Sequence, residues 1–376
     1  MKEKRVLFVI SEDWALISHR LHLVELAIHS GYQVGLATKI TKHQNFLEAR
    51  GIKVFQWRFQ RGSLNPLKEI ISLISLTKIY WKYQPDLIHA VAQKPLIYAG
   101  LAKILYRNIP FIGALGGLGF IFTNGSIKAK LLRPIIKIFL KIALYGNRTR
   151  LILQNYDNIN TIKNNNIIKN SNIRLVKGAG VEIEKFVPSK IPKHAPIVIL
   201  PARILWDKGV AEFIQIARQI KIKKLNARFV LVGDIDLDNP ASVSKQQIIT
   251  WVNSGIVEHW SRRSNMNEVY SKASIVCLPS HYEGLPKVLL EGASCSRPLV
   301  AFNIPGCRDI IKDGINGFLV DFGDCNSLEK KIIKLINNKE LCEKMGKEGR
   351  KIVEANFSSS LINSQTFSIW DEVIQK

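Results

Sequence analysis

The sequence predicts an α/β protein built from two doubly wound parallel sheets. Short continuous apolar runs such as residues 6–10 are typical of parallel strands that are buried on both faces. These runs alternate with helical patterns, an order typical of βαβ units. The alternation starts again after residue 196, and a length of 376 residues suits two domains that each bury a core.

The elements of the first half are bounded by residues that end helices. The predicted strands are 6–10, 33–37, 53–57, 86–90, 111–114 and 150–154. The predicted helices are 20–29, 44–50, 67–83, 96–106 and 128–145. Gly31 and Gly51 follow the first two helices and Pro85 follows the third, as expected of residues that favour a helix end or cannot continue a helix.

The second half repeats this alternation after a proline-rich, charged stretch at residues 188–196, which is predicted to be an interdomain linker. The predicted strands are 197–200, 228–232, 275–279 and 299–302, and the predicted helices are 210–221, 266–272, 288–294, 327–337, 339–356 and 361–375. We therefore expect a Rossmann-like N-terminal domain over residues 1–180 and a second one over 181–357. Ligands of such sheets usually bind in a crevice, so a cleft between the domains is expected.

The formal net charge is +24, from 54 Lys and Arg against 30 Asp and Glu. Residues 1–180 hold 27 basic and 8 acidic residues, a balance of +19, whereas residues 181–376 balance at +5. No acidic residue occurs between Asp86 and Asp157. A basic surface this localised indicates an anionic partner, and the charge alone leaves nucleic acid, a membrane surface and a phosphate-bearing substrate open.

The cysteines and the N-terminus indicate a protein of the reducing cytoplasm. The five cysteines form no C-x-x-C pair and have no His at metal-ligand spacing; they are Cys277, Cys295, Cys307, Cys325 and Cys342. The first apolar run is followed by acidic residues and lacks a cleavage site, so it is predicted to be a strand and not a secretory signal. No stretch reaches the ~18 apolar residues that a spanning helix needs.

The segment most informative about chemistry is residues 274–297, SIVCLPSHYEGLPKVLLEGASCSR. A predicted strand leads into a loop with Glu283 and Gly284, and Pro286 stands in the first turn of the next helix. The free N–H groups at such a helix start can bind a diphosphate. Because Gly284 has no side chain, the backbone there can approach the diphosphate closely. Glu283 and Glu291 can accept hydrogen bonds from sugar and ribose hydroxyls. The alternative is that Glu283 caps the helix and Glu291 lies in solvent.

This segment resembles the donor site of the family 4 glycosyltransferases, which have the GT-B fold. Residues 201–209, PARILWDKG, are similar to the diphosphate-binding stretch of that family, and residues 178–188, GAGVEIEKFVP, to its interdomain signature. The resemblance implies a retaining, metal-independent transferase without a cofactor, whose C-terminal helix at 358–376 packs back on the N-terminal domain. It implies that Glu283, Arg203 and Lys208 are catalytic and that Gly284, Leu285, Glu291 and Gly180 bind the donor.

Two stretches of the first half narrow this resemblance to one subgroup of the family. Residues 14–20, WALISHR, and 116–123, GGLGFIFT, are similar to bacterial enzymes that assemble capsule, O-antigen and N-glycan precursors. The resemblance implies a UDP-sugar donor, often an N-acetylhexosamine, and an acceptor saccharide linked to polyprenyl diphosphate. The residues that it implies for the acceptor side are His19, Arg20, Gly117 and Gly119.

The glycine-rich loop at 113–119 is expected to approach a ligand closely, and a tight turn after a strand is the alternative. Residues 114–116, Ala-Leu-Gly, stand where many family members have a His that contacts the transferred sugar. His19 and His89 are candidates for that contact, with a structural role as the alternative for each.

Two other patterns are not expected to carry chemistry. Asp234 to Asp238 contains D-x-D, which holds a divalent metal in GT-A transferases, but here it follows a strand of the second domain where the family has a turn. Ser18 and His19 are sequence neighbours without an evident partner acid, which argues against a hydrolase. We expect neither a metal site nor a nucleophilic serine.

The helix predicted within residues 128–150 is basic and amphipathic. Lys130, Arg133, Lys137 and Lys141 recur at spacings of three and four and share a face, while apolar residues cover the rest. Such a helix is typical of an anionic membrane interface, and an ordinary half-buried helix with solvated cations is the alternative. Nucleic acid is disfavoured because no nucleic-acid module is present.

The sequence therefore predicts a hexosyltransferase of bacterial surface polysaccharide synthesis, located in the cytoplasm and peripheral on the inner face of the plasma membrane. Its expected partners are a UDP-sugar, a polyprenyl-diphosphate-linked acceptor and an anionic membrane surface, without nucleic acid. Three alternatives stay open: a transferase with a soluble acceptor, a UDP-sugar epimerase and a non-catalytic sugar-nucleotide binder of the same fold.

Overall fold

The structure is a computed structural model that describes residues 3–60, 62–63, 65–106, 109–118, 122, 127–236, 239–261, 263 and 265–375. It divides into two compact units. The first comprises Met1–Ala179 and Ile362–Lys376, and the second comprises Gly180–Leu361. Each unit is built around one parallel sheet with helices on its faces, so the predicted α/β fold class is confirmed.

The first unit contains a seven-stranded sheet in the order β3-β2-β1-β4-β5-β6-β7. Its strands are β1 (Arg5–Glu12), β2 (Gln33–Lys39), β3 (Ile52–Gln56), β4 (Leu87–Val91), β5 (Phe111–Leu115), β6 (Thr149–Leu153) and β7 (Ile173–Leu175). All pairings are parallel. Leu7 and Val9 of β1 pack into the core on one face, and Val6 and Phe8 pack into the core on the other. Burial on both faces explains why this strand is a continuous apolar run.

Helices cover both faces of this sheet. They are α1 (Asp13–His19), α2 (Leu21–His29), α3 (Gln44–Glu48), α4 (Pro66–Tyr83), α5 (Gln93–Tyr106), α6 (Ile127–Ala143) and α7 (Tyr156–Asn164). α4, α5 and α6 line one core, and α5 contacts both of the others. α1 and α2 line the core on the opposite face. α4 starts where its sequence predicts, because Asn65 caps it and Pro66 occupies its first turn.

The second unit contains a six-stranded parallel sheet in the order β10-β9-β8-β11-β12-β13. Its strands are β8 (Ile197–Pro201), β9 (Arg228–Val232), β10 (Glu258–Trp260), β11 (Ile275–Leu278), β12 (Leu299–Phe302) and β13 (Gly317–Val320). Its helices are α8 (Val210–Ile222), α9 (Lys245–Asn253), α10 (Met266–Lys272), α11 (Lys287–Ser294), α12 (Cys307–Ile310), α13 (Cys325–Ile336) and α14 (Lys339–Asn356). The first strand of this unit, β8, is central, with β9 on one side and β11 on the other.

The proline-rich stretch at residues 188–196 is not an interdomain linker, and that prediction is wrong. The stretch lies inside the second unit, whose first residue is Gly180. Ile191 is buried in the core of this unit. Arg297, which is also buried, donates from Nη2 to the Ser189 carbonyl at 2.8 Å. The stretch is thus held against the second unit by residues about a hundred positions away in sequence.

The last helix, α15 (Ser359–Ile374), completes the first unit. Trp370 is fully buried there and packs edge-to-face against Phe8, with ring centroids 5.9 Å apart. Glu372 pairs with Arg174 at 2.6 Å and with Arg150 at 3.0 Å. These hydrogen bonds, the one from Arg174 first, lower the pKa of the Glu372 carboxyl. The expectation that the C-terminal helix returns to the N-terminal domain is confirmed.

Candidate active site

The carboxyl ends of β8 and β11 mark the point where the strand order of the second sheet reverses. The chain continues from β8 to β9 on one side, whereas β11 pairs with β8 on the other. In open parallel sheets such a reversal leaves a crevice at the carboxyl ends of the strands, where ligands bind. The loop at 202–209 leaves β8 and the loop at 279–286 leaves β11. Both segments predicted to bind the donor therefore meet at this crevice.

Lys208 and Glu283 form an ion pair between these two loops. Lys208 Nζ donates to Glu283 Oε1 at 2.7 Å, and Ser280 Oγ donates to the same oxygen at 2.9 Å. The side chains of Lys208 and Glu283 are 18% and 13% exposed. Because both side chains are mostly buried, salt weakens this ion pair less than it weakens a pair in open solvent. Each side chain therefore holds the other in place. Two of the three predicted catalytic residues are thus in direct contact.

Arg203, the third predicted catalytic residue, pairs with Asp236. Its Nη1 donates to Asp236 Oδ2 at 2.6 Å, and its side chain stays 38% exposed. Asp236 follows β9, the neighbour of β8, and belongs to the D-x-D pattern; Asp238 of that pattern lies outside the described residues. The sequence analysis expected no chemistry from Asp236, and the signal for a role was an acidic residue after the strand next to β8.

Two further contacts join the same loops. The Tyr282 hydroxyl donates to Asp207 Oδ2 at 2.8 Å, and the His281 N–H donates to the Asp207 carbonyl at 3.0 Å. His281 Nε2 lies 2.8 Å from Glu212 Oε1 in α8. Burial and the hydrogen bond to Asp207 raise the pKa of Tyr282, so its phenol remains a donor. The sequence analysis missed these residues, although each is within four positions of a predicted catalytic residue.

Glycines allow the loops of this site to pack backbone against backbone. Gly209 has φ 77°, and a Cβ there would lie 2.0 Å from the Pro279 carbonyl oxygen. Gly306 has φ 81°, and a Cβ there would lie 2.3 Å from the Gly284 carbonyl oxygen. Because L-residues disfavour this conformation and no room exists for a side chain, both positions require glycine.

α11 starts at the edge of the crevice, directly after the loop with Glu283. Pro286 is its N-cap residue, and no side chain caps the helix. The alternative in which Glu283 caps this helix is therefore wrong. An uncapped helix start presents backbone N–H groups and the positive end of the helix dipole, which favour an anion. Leu285 is buried in the core, which leaves its backbone for a ligand.

Glu291 lies in the second turn of α11 and is buried, so the alternative that it lies in solvent is wrong. Tyr270 donates its hydroxyl to Glu291 Oε2 at 2.9 Å, and Lys287 Nζ is 3.6 Å from Oε1. Burial raises the pKa of the Glu291 carboxyl, and the two partners oppose that rise. Gly180, another predicted donor residue, has φ 70° and would place a Cβ 2.7 Å from Ser359 Cα. Backbone packing explains this glycine, and its role in donor binding stays a prediction.

The residues predicted for the acceptor side of the first unit differ in accessibility. His19 ends α1 and is exposed, and Gly117 is half-buried after β5. Gly119 lies outside the described residues. Arg20 is buried and donates from Nη1 to the Gly178 carbonyl at 3.4 Å. Burial lowers the pKa of Arg20 to about 10. Of the described residues in this set, His19 and Gly117 are the accessible ones.

His89 has the structural role that the sequence left as its alternative. Its ring is buried and stacks on Phe8, with centroids 5.1 Å apart. Trp370 Nε1 lies 3.1 Å from His89 Nδ1 and can only donate, so the ring proton of His89 is on Nε2. Burial, followed by the charge of Arg20, lowers the pKa of His89 well below its usual range. His89 is thus neutral and out of reach of a sugar.

The glycine-rich loop is shorter than predicted. Gly113 lies inside β5, where a Cβ would be 2.4 Å from Leu96 Cδ1, so this glycine makes room for α5. The loop opens at Gly116, which is exposed.

α6 exposes both the predicted cations and its apolar side chains. Lys130 and Lys141 are exposed, and Arg133 and Lys137 are half-buried. Five apolar side chains of the same helix are exposed: Leu131, Ile135, Ile138, Phe139 and Ile142. An ordinary half-buried helix with solvated cations does not account for these five.

Within the described ranges, no group of three or more His, Cys, Asp and Glu side chains is placed to hold a metal ion. No helix formed by those residues is both long enough and apolar enough to cross a bilayer. The expectation that the reaction uses no metal or cofactor stays a prediction.

Comparison with known proteins places the chain in a family. The family model "Glycosyl transferases group 1" matches residues 181–352, and "Glycosyl transferase 4-like" matches residues 5–155. The HepE protein of Anabaena, solved in complex with UDP, superposes with a TM-score of 0.75 and 18% identity over 98% of this chain and 100% of its own. This likeness confirms the GT-B fold.

Two curated relatives are similar over most of their length. One is the N,N'-diacetylbacillosaminyl-diphospho-undecaprenol alpha-1,3-N-acetylgalactosaminyltransferase of Campylobacter jejuni, 29% identical over 86% of this chain and 87% of its own. The other is the UDP-Gal:alpha-D-GlcNAc-diphosphoundecaprenol alpha-1,3-galactosyltransferase of Escherichia coli, 26% identical over 74% of this chain and 73% of its own. The chain belongs to the group 1 and 4-like glycosyltransferases and is a hexosyltransferase.

Proposed function

We propose that this hexosyltransferase moves a sugar from a UDP-sugar to a saccharide linked to polyprenyl diphosphate, in the synthesis of a bacterial surface polysaccharide. The names of both relatives specify acceptors on diphosphoundecaprenol, one name specifies a UDP-sugar, and HepE binds UDP. The ion pair of Lys208 and Glu283 at the strand reversal is the observation that carries the proposal, because it joins a phosphate-binding cation to a carboxylate that can contact the sugar.

In this proposal the donor diphosphate binds Lys208, Arg203 and the start of α11. Negative charge grows on UDP as the bond to the sugar breaks, and cations that are already fixed stabilise that charge most effectively. Lys208 is fixed by Glu283, and Arg203 is oriented by Asp236 while its side chain stays accessible. These groups do the work that a metal performs in other sugar-nucleotide enzymes, so we propose a metal-independent reaction.

Glu283 orients the transferred sugar and supports an oxocarbenium-like transition state. Glu291 binds the ribose, since its buried carboxylate is oriented by Tyr270, and the backbone of Gly284 and Leu285 contacts the nucleotide. We propose retention of the anomeric configuration and a donor that carries an N-acetylhexosamine or a related hexose. Both relatives are named as alpha-transferases of an N-acetylhexosamine or a hexose, which supports this donor class.

The acceptor in this proposal binds the first unit, where His19 and Gly117 are accessible. Its lipid anchor requires a membrane, so the protein works as a peripheral protein on the cytoplasmic face of the plasma membrane. The exposed apolar and basic side chains of α6 support this location.

A UDP-release assay tests the proposal with a panel of UDP-sugars and a synthetic polyprenyl-diphosphate-linked sugar. We expect release that depends on the acceptor for at least one donor. Glu283→Ala abolishes it while the protein still unfolds in one cooperative transition, whereas Lys223→Ala, which removes a cation paired with Glu329 in the same unit, leaves turnover unchanged. Near-normal turnover of Glu283→Ala contradicts the site, and release that ignores the acceptor contradicts transfer.

A further inference from the structure

The exposed apolar side chains of the first unit are concentrated on three helices. Within the described part of this unit, 12 of the 15 exposed large hydrophobic residues lie on α4, α5 and α6. They are Leu67, Ile70, Ile71, Ile74, Trp81, Ile104, Leu105, Leu131, Ile135, Ile138, Phe139 and Ile142. Single exposed apolar residues are normal on a protein, but a concentration of this size marks a surface that contacts something apolar.

α4 carries an apolar stripe that the core does not need. Leu67, Ile70 and Ile74 recur at the helical spacing that places them on one face, and they are 71%, 53% and 50% exposed. The opposite face buries Leu76 and Tyr80 in the core of the unit. α4 is thus apolar on two sides, which is typical of a helix with a second apolar partner.

The stripes of α4 and α6 belong to one helical layer that α5 connects. Trp81 of α4 packs edge-to-face on Tyr106 of α5, with centroids 4.9 Å apart, beside the exposed Ile104 and Leu105. α5 approaches α6 very closely, because a Cβ on Gly100 would lie 2.5 Å from the Ala143 carbonyl oxygen. All three helices pack on the same face of the sheet, so their outer sides form one docking face.

The docking face is strongly basic. The three helices contain ten Lys and Arg, of which Lys103 is buried, and a single acidic residue, Glu69. The charge of Glu69 is balanced locally, because Lys94 pairs with its carboxylate at 2.9 Å and the Tyr98 hydroxyl donates a hydrogen bond to it. Lys78 and Lys82 of α4 are exposed next to the apolar stripe, as Lys130 and Lys141 are on α6.

We propose that α4, α5 and α6 together insert their apolar side chains into the headgroup region of an anionic bilayer, with the lysines on the lipid phosphates. This inference rests on the proposed function and deepens it, because it names the surface through which the enzyme reaches a lipid-linked acceptor. Lysine next to isoleucine and leucine is suited to a lipid interface. Protein interfaces are depleted in lysine, and a second copy would bring one lysine-rich face against another.

Vesicle co-sedimentation tests the proposal at α4. Ile70→Ser with Ile74→Ser removes two stripe residues, and Ile222→Ser with Ile315→Ser removes two isoleucines of the second unit that are at least as exposed, as the matched control. With vesicles of phosphatidylcholine and phosphatidylglycerol, we expect the α4 double variant to bind at least tenfold more weakly than the control. Lys78→Glu with Lys82→Glu is expected to lose about fivefold or more per charge at low salt and less at high salt.

Three outcomes overturn the proposal. Equal vesicle binding of the α4 double variant and its control removes α4 from the docking face. Equal binding to neutral and anionic vesicles removes the role of the lysines. A dimer in sedimentation velocity that the α4 substitutions dissociate assigns the face to a second copy.

UDP release with a short water-soluble acceptor analogue separates this test from that of the proposed function, because the α4 variants are expected to retain that turnover. If the wild type releases no UDP with any donor but binds vesicles as described, the proposed function fails and the docking face stands.

Discussion

Lys208 and Glu283 are expected to act as one unit, and a double-variant cycle measures this. Lys208→Met removes the cation while keeping most of the side-chain length, and Glu283→Gln removes the carboxylate while keeping its shape. Loss of a group that is already positioned on developing charge costs about 10²–10³ in kcat, or roughly 2.7–4 kcal/mol. Because Lys208 also holds Glu283 in place at 2.7 Å, each single variant disables both groups.

The activity of the double variant distinguishes coupled from independent roles. We expect each single variant to lower kcat/KM by at least about 100-fold and the double variant to be only a few-fold worse than either. The assay is UDP release at a fixed, saturating acceptor concentration with the donor varied. Costs that multiply in the double variant would refute the reasoning, since two side chains in one ion pair would then act separately.

Stability gives the same cycle a second readout. In Lys208→Met, the mostly buried Glu283 carboxylate keeps only Ser280 as a side-chain donor in the described contacts, a loss worth about 1–3 kcal/mol. A unit of this size loses about 2–4 °C in Tm per kcal/mol. The double variant leaves no unpaired charge and is expected to melt above the sum of the single losses, as followed by calorimetry.

Two further predictions concern the frame of the site and the C-terminal helix. Gly209→Ala is expected to lower both Tm and turnover, since its Cβ would meet the Pro279 carbonyl oxygen at 2.0 Å, and unchanged values in a melt and a UDP-release assay contradict this. Glu372→Gln removes the partner of Arg174 and Arg150, whose hydrogen bonds hold the pKa of Glu372 below 4.5. Its folded-state pKa is lowered, so the stabilisation is complete above pH 4.5 and disappears as pH falls through the folded value. Thermal melts therefore differ between wild type and variant at pH 7 and converge as the pH falls below the folded-state pKa, whereas a difference that does not shrink with falling pH refutes the assignment.

Much of the fold follows from local signals in the sequence. The continuous apolar run at 6–10 predicted a strand that the structure buries on both faces, and Pro66 and Asn65 mark the start of α4. The contact of Lys208 with Glu283 was implicit in the topology, because both follow parallel strands whose carboxyl ends share one edge of the sheet. β7, β10 and β13 were missed because strands of three or four residues are too short to show a clear period.

The features that escaped prediction depend on residues distant in sequence. The stretch at 188–196 has the composition of a linker, but Arg297 and the core around Ile191 fix it in place. Asp13 begins α1, and its side chain is buried. Its carboxylate accepts hydrogen bonds from Thr41 and His43 there. Burial raises the pKa of Asp13, but these hydrogen bonds outweigh it and leave the pKa lowered. No local pattern marks such a partner.

The position of α15 in the chain determines the order in which the protein can be completed. The 182 residues from Gly180 to Leu361 are synthesised between the body of the first unit and the segment that covers its Phe8 face. At about 5–20 residues per second, ribosomes need roughly 10–40 s for that interval. The apolar surface around Phe8 therefore stays uncovered while the second unit is synthesised and folds. Trp370 covers that surface only afterwards. Damage to the final helix is thus a defect of the domain made first, and during that interval the exposed apolar surface is prone to aggregation.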